Sequence, residues 1–377
     1  MAKGEQDGLG EELYGTRLGE LRDAAGPTQV NSNDKRGGKM EITAKYVDRL
    51  VTTEAKWGGE NTRGITDLLY DCAFNKLGGQ SPSLVAARRI IEEVHEDDDI
   101  FIMTEFAAFP SFPFGETDGP PGVASLARAV TFGLGALPIL ISGVRDAEPI
   151  RITTKAAGLN VLEYSVAKES NSLAASAVVF PVADGEESKK FAAAMMDEYS
   201  PKAVIAVETV GPNRKGVKHR GAGTNAEEIE KMPELEHLFY EAASRGILTI
   251  GIIDQGNELG SGTIEEDVRR ITPFAEMCTC SCGEGIACSV KADIVLPATT
   301  SNWGAYAISA MLAYLLKKPE ILQDAYTEHR MLEACVMAGA LDSSYRAPVM
   351  GVDGNGYEAN EAIVTLLQSI ITNALKQ

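Results

Sequence analysis

The chain has 377 residues, 44% of them hydrophobic, which allows a large packed core and rules out a disordered or fibrous protein. Its 54 acids against 35 bases leave a formal charge of −19 with no basic arm or stripe, so no nucleic-acid partner is expected. No apolar run reaches the roughly 18 residues of a membrane span, and MAKGEQDGLGEELYG lacks the basic and apolar regions of an export signal, so no membrane partner, a cytoplasmic location and reduced thiols are expected.

Residues 1–42 are polar and glycine-rich and read as a partly ordered lead-in without a motif. From Thr43, the stretches AKYVDRLVTTEA, ITDLLYDCAFNKL and SLVAARRIIEEV carry apolar residues at helical spacing. DDIFIMTEF (98–106) is then a short apolar run bounded by acids, the pattern of a strand buried on both faces. Similar runs follow at LPILIS (137–142), NVLEYS (160–165), AVIAVE (203–208), ILTIGIID (247–254) and ADIVLPA (292–298). Helical segments separate them, including VASLARAVTFGL, ESKKFAAAMMDEY, PELEHLFYEAASR and, after the last run, WGAYAISAMLAYLLKK. This alternation predicts an α/β fold: a doubly wound, mostly parallel sheet flanked by helices in three layers. The tail from Pro319 reads as further helices around the glycine-rich RAPVMGVDGNGYE, and no linker interrupts 43–377, which reads as one domain.

Ligands of such sheets bind beyond the carboxyl ends of the strands, so the loops that follow strands matter most. After the first strand, Glu116-Thr117-Asp118 runs into Gly119-Pro120-Pro121-Gly122, holding two carboxylates at a helix start. A helix cap by Asp118 explains the same residues structurally. After AVIAVE come Glu208, then Asn213, Lys218, His219 and Arg220, a mixture of acid, amide and cations suited to an acidic small molecule. Asp254, Gly256, Asn257 and Glu258 follow ILTIGIID, with more acid and amide than a turn requires. The fourth loop supplies Ser301, Asn302 and Trp303 at the mouth of a helix, as anion donors, caps or packing. Cys278, Cys280, Cys282 and Cys288 form C-x-C-x-C-x5-C, which departs from the C-x2-C pairs of structural zinc and reads as small residues buried or lining the pocket beside a glycine turn.

Together these loops resemble the C-terminal domain of the D-glutamate cyclase-like family, through ETDGPPG (116–122), GPN with a following glycine (211–216), IGIIDQGNELGSG (250–262), CSCGEGIA (280–287) and SNWGAYA (301–307), in family order. Two loops depart from the family pattern. Gln255 stands beside the acid where the family has glycine, and Lys218-His219-Arg220-Gly221 replaces an Asn-Met-Arg-Gly type segment. The resemblance implies a carbon–oxygen lyase that cyclises D-glutamate to 5-oxo-D-proline and water.

For that reaction the residues offer Asp118 or Asp254 as base and Glu116, Glu208 or Glu258 as acid. The substrate-binding candidates are Thr117, Gly119, Asn213, Lys218, His219, Arg220, Gly256, Asn257, Ser301, Asn302 and Trp303. Five acids facing an anionic substrate suggest a divalent cation, Mg²⁺ or Mn²⁺, on Asp118, Asp254 or Glu258. Expected partners are a small acidic amino acid or its lactam, with a homo-oligomer permitted. Rival readings are a hydrolase or lyase of another small cyclic amide or acidic amino acid, and a non-catalytic metabolite-binding protein. No G-x-G-x-x-G joins the first strand to its helix and no G-x-x-x-x-G-K-[ST] occurs, which argues against a nucleotide enzyme.

Overall fold

The computed structural model describes residues 34–56, 63–170 and 172–376, so residues 1–33 of the expected lead-in lie outside the described residues. Compactness divides the chain into Met1–Ile42 and Thr43–Gln377. In the first unit the described residues are helical.

Seven strands form one sheet: β1 (Asp99–Glu105), β2 (Leu137–Ser142), β3 (Asn160–Leu162), β4 (Ala174–Val179), β5 (Ala203–Thr209), β6 (Leu248–Ile253) and β7 (Ile294–Pro297). Their order is β3-β4-β2-β1-β5-β6-β7 and every neighbouring pair is parallel. Strands β1, β2, β5 and β6 are buried along their whole length, which is why they read as continuous apolar runs rather than alternating ones. The helices are α1 (Asp34–Val51), α2 (Ile65–Lys76), α3 (Pro82–Glu93), α4 (Pro120–Leu134), α5 (Ala147–Ala156), α6 (Tyr164–Glu169), α7 (Gly185–Tyr199), α8 (Glu236–Arg245), α9 (Glu265–Ile271), α10 (Ser301–Leu316), α11 (Ala325–Met337) and α12 (Tyr357–Leu375). A two-stranded ribbon, β8 (Gly351–Val352) and β9 (Asn355–Gly356), lies just before α12. The fold is the expected doubly wound α/β sandwich.

Two edge elements differ from the sequence reading. NVLEYS is a strand only over Asn160–Leu162, because β3 pairs with β4 alone and the chain turns into α6 at Tyr164. β4 itself, AASAVV, went unread: small Ala and Ser side chains give it a weak apolar signal, and its last three residues are not buried.

On one face, Phe101, Met103, Ile139, Ile141 and Val204 pack under Met195 and Met196 of α7 and Leu238 and Phe239 of α8. On the other, α4 and α10 pack together across the centre of the sheet. Glycine makes that close seat feasible, since a Cβ on Gly304 would stand 2.5 Å from Ile252 Cγ2 and one on Gly122 would stand 2.9 Å from Val207 Cγ1. From β1 the chain winds outward through β2 to β4 and β3, then returns to lay β5 on the opposite side of β1. Loops leaving β1 and β5 therefore diverge, and the crevice between them is the usual ligand position of such sheets. Among the described residues no helix is long and apolar enough to cross a membrane.

Candidate active site

Glu208 and Asp254 stand at the carboxyl ends of β5 and β6, while Glu116, Asp118 and Glu258 come from the loops that follow β1 and β6. Glu208 closes β5 with φ of 45°, a left-handed conformation uncommon for a side chain of this size. Its carbonyl accepts from Thr104 Oγ1 at 3.1 Å and its carboxylate accepts from Ser301 Oγ at 2.6 Å. Beyond β6, Glu258 folds back and accepts the backbone N–H groups of Asp254 (3.2 Å), Gln255 (3.1 Å) and Gly256 (2.7 Å). The Glu258 carboxylate thus holds the turn that presents Asp254.

Asp118 and Asn302 cap each other's helices. The Asp118 carboxylate accepts from the N–H groups of Ser301 and Asn302, both at 2.8 Å, at the start of α10. In return Asn302 Oδ1 accepts from Gly119 (3.0 Å) and Gly122 (2.7 Å) at the start of α4, and its Nδ2 donates to Thr117 O at 2.9 Å. Asp118 is therefore a cap, of the distant helix rather than its own, and Asn302 has no side-chain atom left for substrate. Replacing Asn302 by alanine strands the buried Gly122 amide, leaves Gly119 N–H only its bond to Asp118 Oδ1 (3.1 Å), and removes the donor to Thr117 O. A loss of about 2–4 kcal/mol is expected, seen as an earlier urea midpoint with an unchanged m-value.

A cleft of about 150 Å³ opens at the crevice, lined by Glu116, Glu208, Asp254, Gln255 and Asn257, and also by Asp353, Ser343, Arg220 and Arg346. That is below the roughly 300–1,000 Å³ of drug-sized sites and suits a small metabolite. Lys56 Nζ bonds to the carboxylates of both Asp254 and Asp353. Burial alone would lower the Lys56 pKa, but the two carboxylates outweigh it and hold the ammonium form well above the ordinary range. Burial raises Glu116 well above the usual carboxylate range, reinforced by Asp353, Asp118 and Asp254, and it raises Glu208 likewise, with Asp254 and Glu258 adding to it. Burial also pushes Asp254 up to about 7, against the opposing pull of Lys56. Among the described residues no hydrogen bond fixes the Glu116 side chain or the Arg346 guanidinium, so both are free to meet a ligand.

The structure thus brings Glu116, Glu208 and Asp254 to one cleft, with Asn257 and Arg220 in its wall. Several other expected contacts lie elsewhere. Lys218 is 2% exposed, with its ammonium on Pro233 O (2.6 Å) and Glu236 (3.0 Å). Asn213 bonds to Gly285 O and to the N–H groups of Lys215 and Val217, and holds its own turn. Trp303 is core, its Nε1 donating to Asn360 at 2.8 Å. His219 turns its ring toward the cysteines, not the cleft. Thr117 is fully buried, Gly119 allows the tight approach to Thr104, and Gly256 the approach to Val268. The expected cation ligands do not form one set: Asp254 groups with Asp118 and Asp353, and separately with Glu208 and Glu258. Lys56 already supplies a positive charge to the first group.

Lys56, Asp353 and Arg346 escaped the sequence reading. Asp353 and Arg346 both have left-handed φ, and both sit in RAPVMGVDGNGYE, whose glycines read in sequence as a separator between helices. Its concentration of glycines around an acid was the available signal. Lys56, in a polar stretch after α1, offered none.

The family described as "D-glutamate cyclase-like, C-terminal" matches residues 62–368. The chain belongs to this family. It is also 30% identical over 221 residues to human "D-glutamate cyclase, mitochondrial", a match that covers 58% of this chain and 33% of the human protein. The aligned part is therefore about a third of that relative's length. The motifs that carried the resemblance to the D-glutamate cyclase-like family supply Glu116, Asp118, Asp254, Glu258 and Ser301, all in or directly behind the cleft. The membership makes a lyase the coarse expectation for the chain.

Proposed function

We propose that the chain cyclises a small acidic amino acid, with D-glutamate as first choice, to its lactam with loss of water. The observation that carries this reading is the cleft itself: carboxyl groups with raised pKa share a small crevice with Arg220 and Arg346, and Lys56 bonds to two of the acids that line it, Asp254 and Asp353. Lactam formation moves two protons from the substrate nitrogen and two onto the departing oxygen. It therefore needs a base and an acid that both function near neutral pH.

Asp254, ionised beside Lys56, accepts the ammonium proton. The freed amine attacks the γ-carboxyl carbon, forming the C–N bond. Glu116, held in its acid form by burial, protonates the oxygen as the C–O bond breaks and water leaves. Arg346 pairs with the α-carboxylate, and the enclosing walls hold the chain folded so that nitrogen and carbon meet. Glu208, hydrogen-bonded to Ser301, passes the second nitrogen proton to the same departing oxygen, and the proton taken up by Asp254 returns to Glu116 to reset the pair, so two protons leave nitrogen and two leave with the water. Lys56 takes the electrostatic part for which a divalent cation was expected.

Incubation of the purified protein with D-glutamate, L-glutamate and shorter or longer diacids, followed by mass spectrometry, tests this. Expected is an 18-mass-unit loss (one water, about 18 Da, the leaving group the mechanism requires), fastest for D-glutamate and unchanged by added Mg²⁺ or Mn²⁺. No lactam from any acidic amino acid, with tight binding of one of them, would replace the lyase by a metabolite-binding protein.

A further inference from the structure

Behind the wall of the cleft, three thiols and one imidazole converge. Cys278 Sγ lies 3.2 Å from Cys280 Sγ and 3.3 Å from Cys282 Sγ. His219 Nε2 lies 3.3 Å from Cys280 Sγ and 3.5 Å from Cys282 Sγ. We propose that Cys278, Cys280, Cys282 and His219 bind one Zn²⁺ as a closed, structural Cys3His site.

Four donors of this kind suit zinc, whose structural sites are tetrahedral and take thiolate and imidazole. A Zn–S bond of about 2.3 Å sets tetrahedral sulfurs about 3.8 Å apart, a small outward step from the spacing seen, whereas an iron–sulfur cluster would need the sulfurs much further apart. The groups around the donors are those such a site requires. His219 Nδ1 stands 3.1 Å from Val217 O, so it carries the proton there and leaves the Nε2 lone pair aimed at the thiols. Cys282 N–H donates to Cys280 Sγ at 3.5 Å and Asn213 Nδ2 reaches Cys282 Sγ at 3.6 Å, which stabilises thiolate. Lys215 Nζ donates to Cys282 O at 2.7 Å and offsets the negative charge of three thiolates on a divalent ion. The fourth cysteine of the sequence cluster is not a donor: Cys288 is fully buried, its sulfur in the space a Gly211 side chain would need.

The ion joins the loop after β5 to the loop before β7. His219 O accepts from Asn257 Nδ2 at 3.0 Å, and the next residues, Arg220, Gly221 and Ala222, line the cleft. The metal thus fixes a wall of the site and takes no part in proton transfer. The inference stands whether or not the reaction proposed above is correct.

The test is metal analysis of the full chain. Zinc-loaded, desalted protein should carry one zinc per chain, and Co²⁺ in its place should give the strong visible and near-ultraviolet thiolate bands of a tetrahedral sulfur-rich site. Cys280→Ser/Cys282→Ser should retain less than about a tenth of an equivalent, while Cys72→Ser keeps a full one. Wild-type protein of native circular dichroism that holds less than about a tenth of an equivalent, or gives no cobalt–thiolate band, overturns the proposal even if the double variant fails to fold.

Discussion

Asp254→Asn is expected to lower kcat for lactam formation about 10²–10⁴-fold, the range for loss of a positioned general base, with a much smaller change in KM. In wild-type protein kcat/KM should rise with pH to a plateau, with an apparent pKa near the value of about 7 to which burial pushes Asp254. The variant should lose that limb. The same shift makes a stability statement of known sign. A carboxyl whose folded pKa is raised binds more protons folded than unfolded, so its contribution is complete below the unfolded value near 4. It is then lost as pH climbs through the folded one. Asparagine does not titrate. The stability of Asp254→Asn relative to wild type should therefore improve from pH 4 to pH 8, by up to about 1.4 kcal/mol for each unit of the shift. Parallel denaturation curves at the two pH values check this, and an unchanged difference would show that Asp254 ionises as freely folded as unfolded.

Lys56→Met should produce the largest loss of stability, because it leaves Asp254 and Asp353 buried beside each other without their shared cation. Breaking a buried pair by removing one partner typically costs about 3–5 kcal/mol. The lysine itself stays charged throughout the accessible range, since its partners raise its pKa. The pH dependence comes from the acids: without Lys56 both retain protons to still higher pH when folded, and each unit of extra shift is penalty at pH 8 that vanishes near pH 4. The deficit against wild type is expected to be several kcal/mol at pH 8 and small at pH 4–5. A deficit equal at both would assign Lys56 a packing role only. Activity should fall as well, as Asp254 loses the charge that keeps it ionised.

The sheet was legible because its central strands are buried on both faces: LPILIS coincides with β2, and AVIAVE and ILTIGIID each overlap their strands to within a residue or two. Strand-end acids were legible for a related reason. Glu208 and Asp254 interrupt apolar text where a parallel sheet opens its crevice, Glu208 without any turn preference and Asp254 with more acid and amide after it than a turn requires. What such reading missed depends on pairings remote in sequence. Nothing in the neighbourhood of Lys56 announces partners 198 and about 300 residues away. Asn302 looks like a ligand-binding amide until its partners prove to be the backbone of α4. His219 lies 61 residues before Cys280, so counting intervals between cysteines alone could not find it.

The exchange of caps between Asp118 and Asn302 spans 184 residues and joins the loop after β1 to the helix that follows β7. Until β7 and α10 have docked, the amides of Gly122, Ser301 and Asn302 lack these acceptors, and Glu208 has no Ser301 to hold it. The carboxyl groups lining the cleft therefore take up this geometry only once that junction has formed. A chain still emerging from the ribosome keeps its mutually repelling acids hydrated and apart, and only the completed fold presents them together for the reaction proposed above.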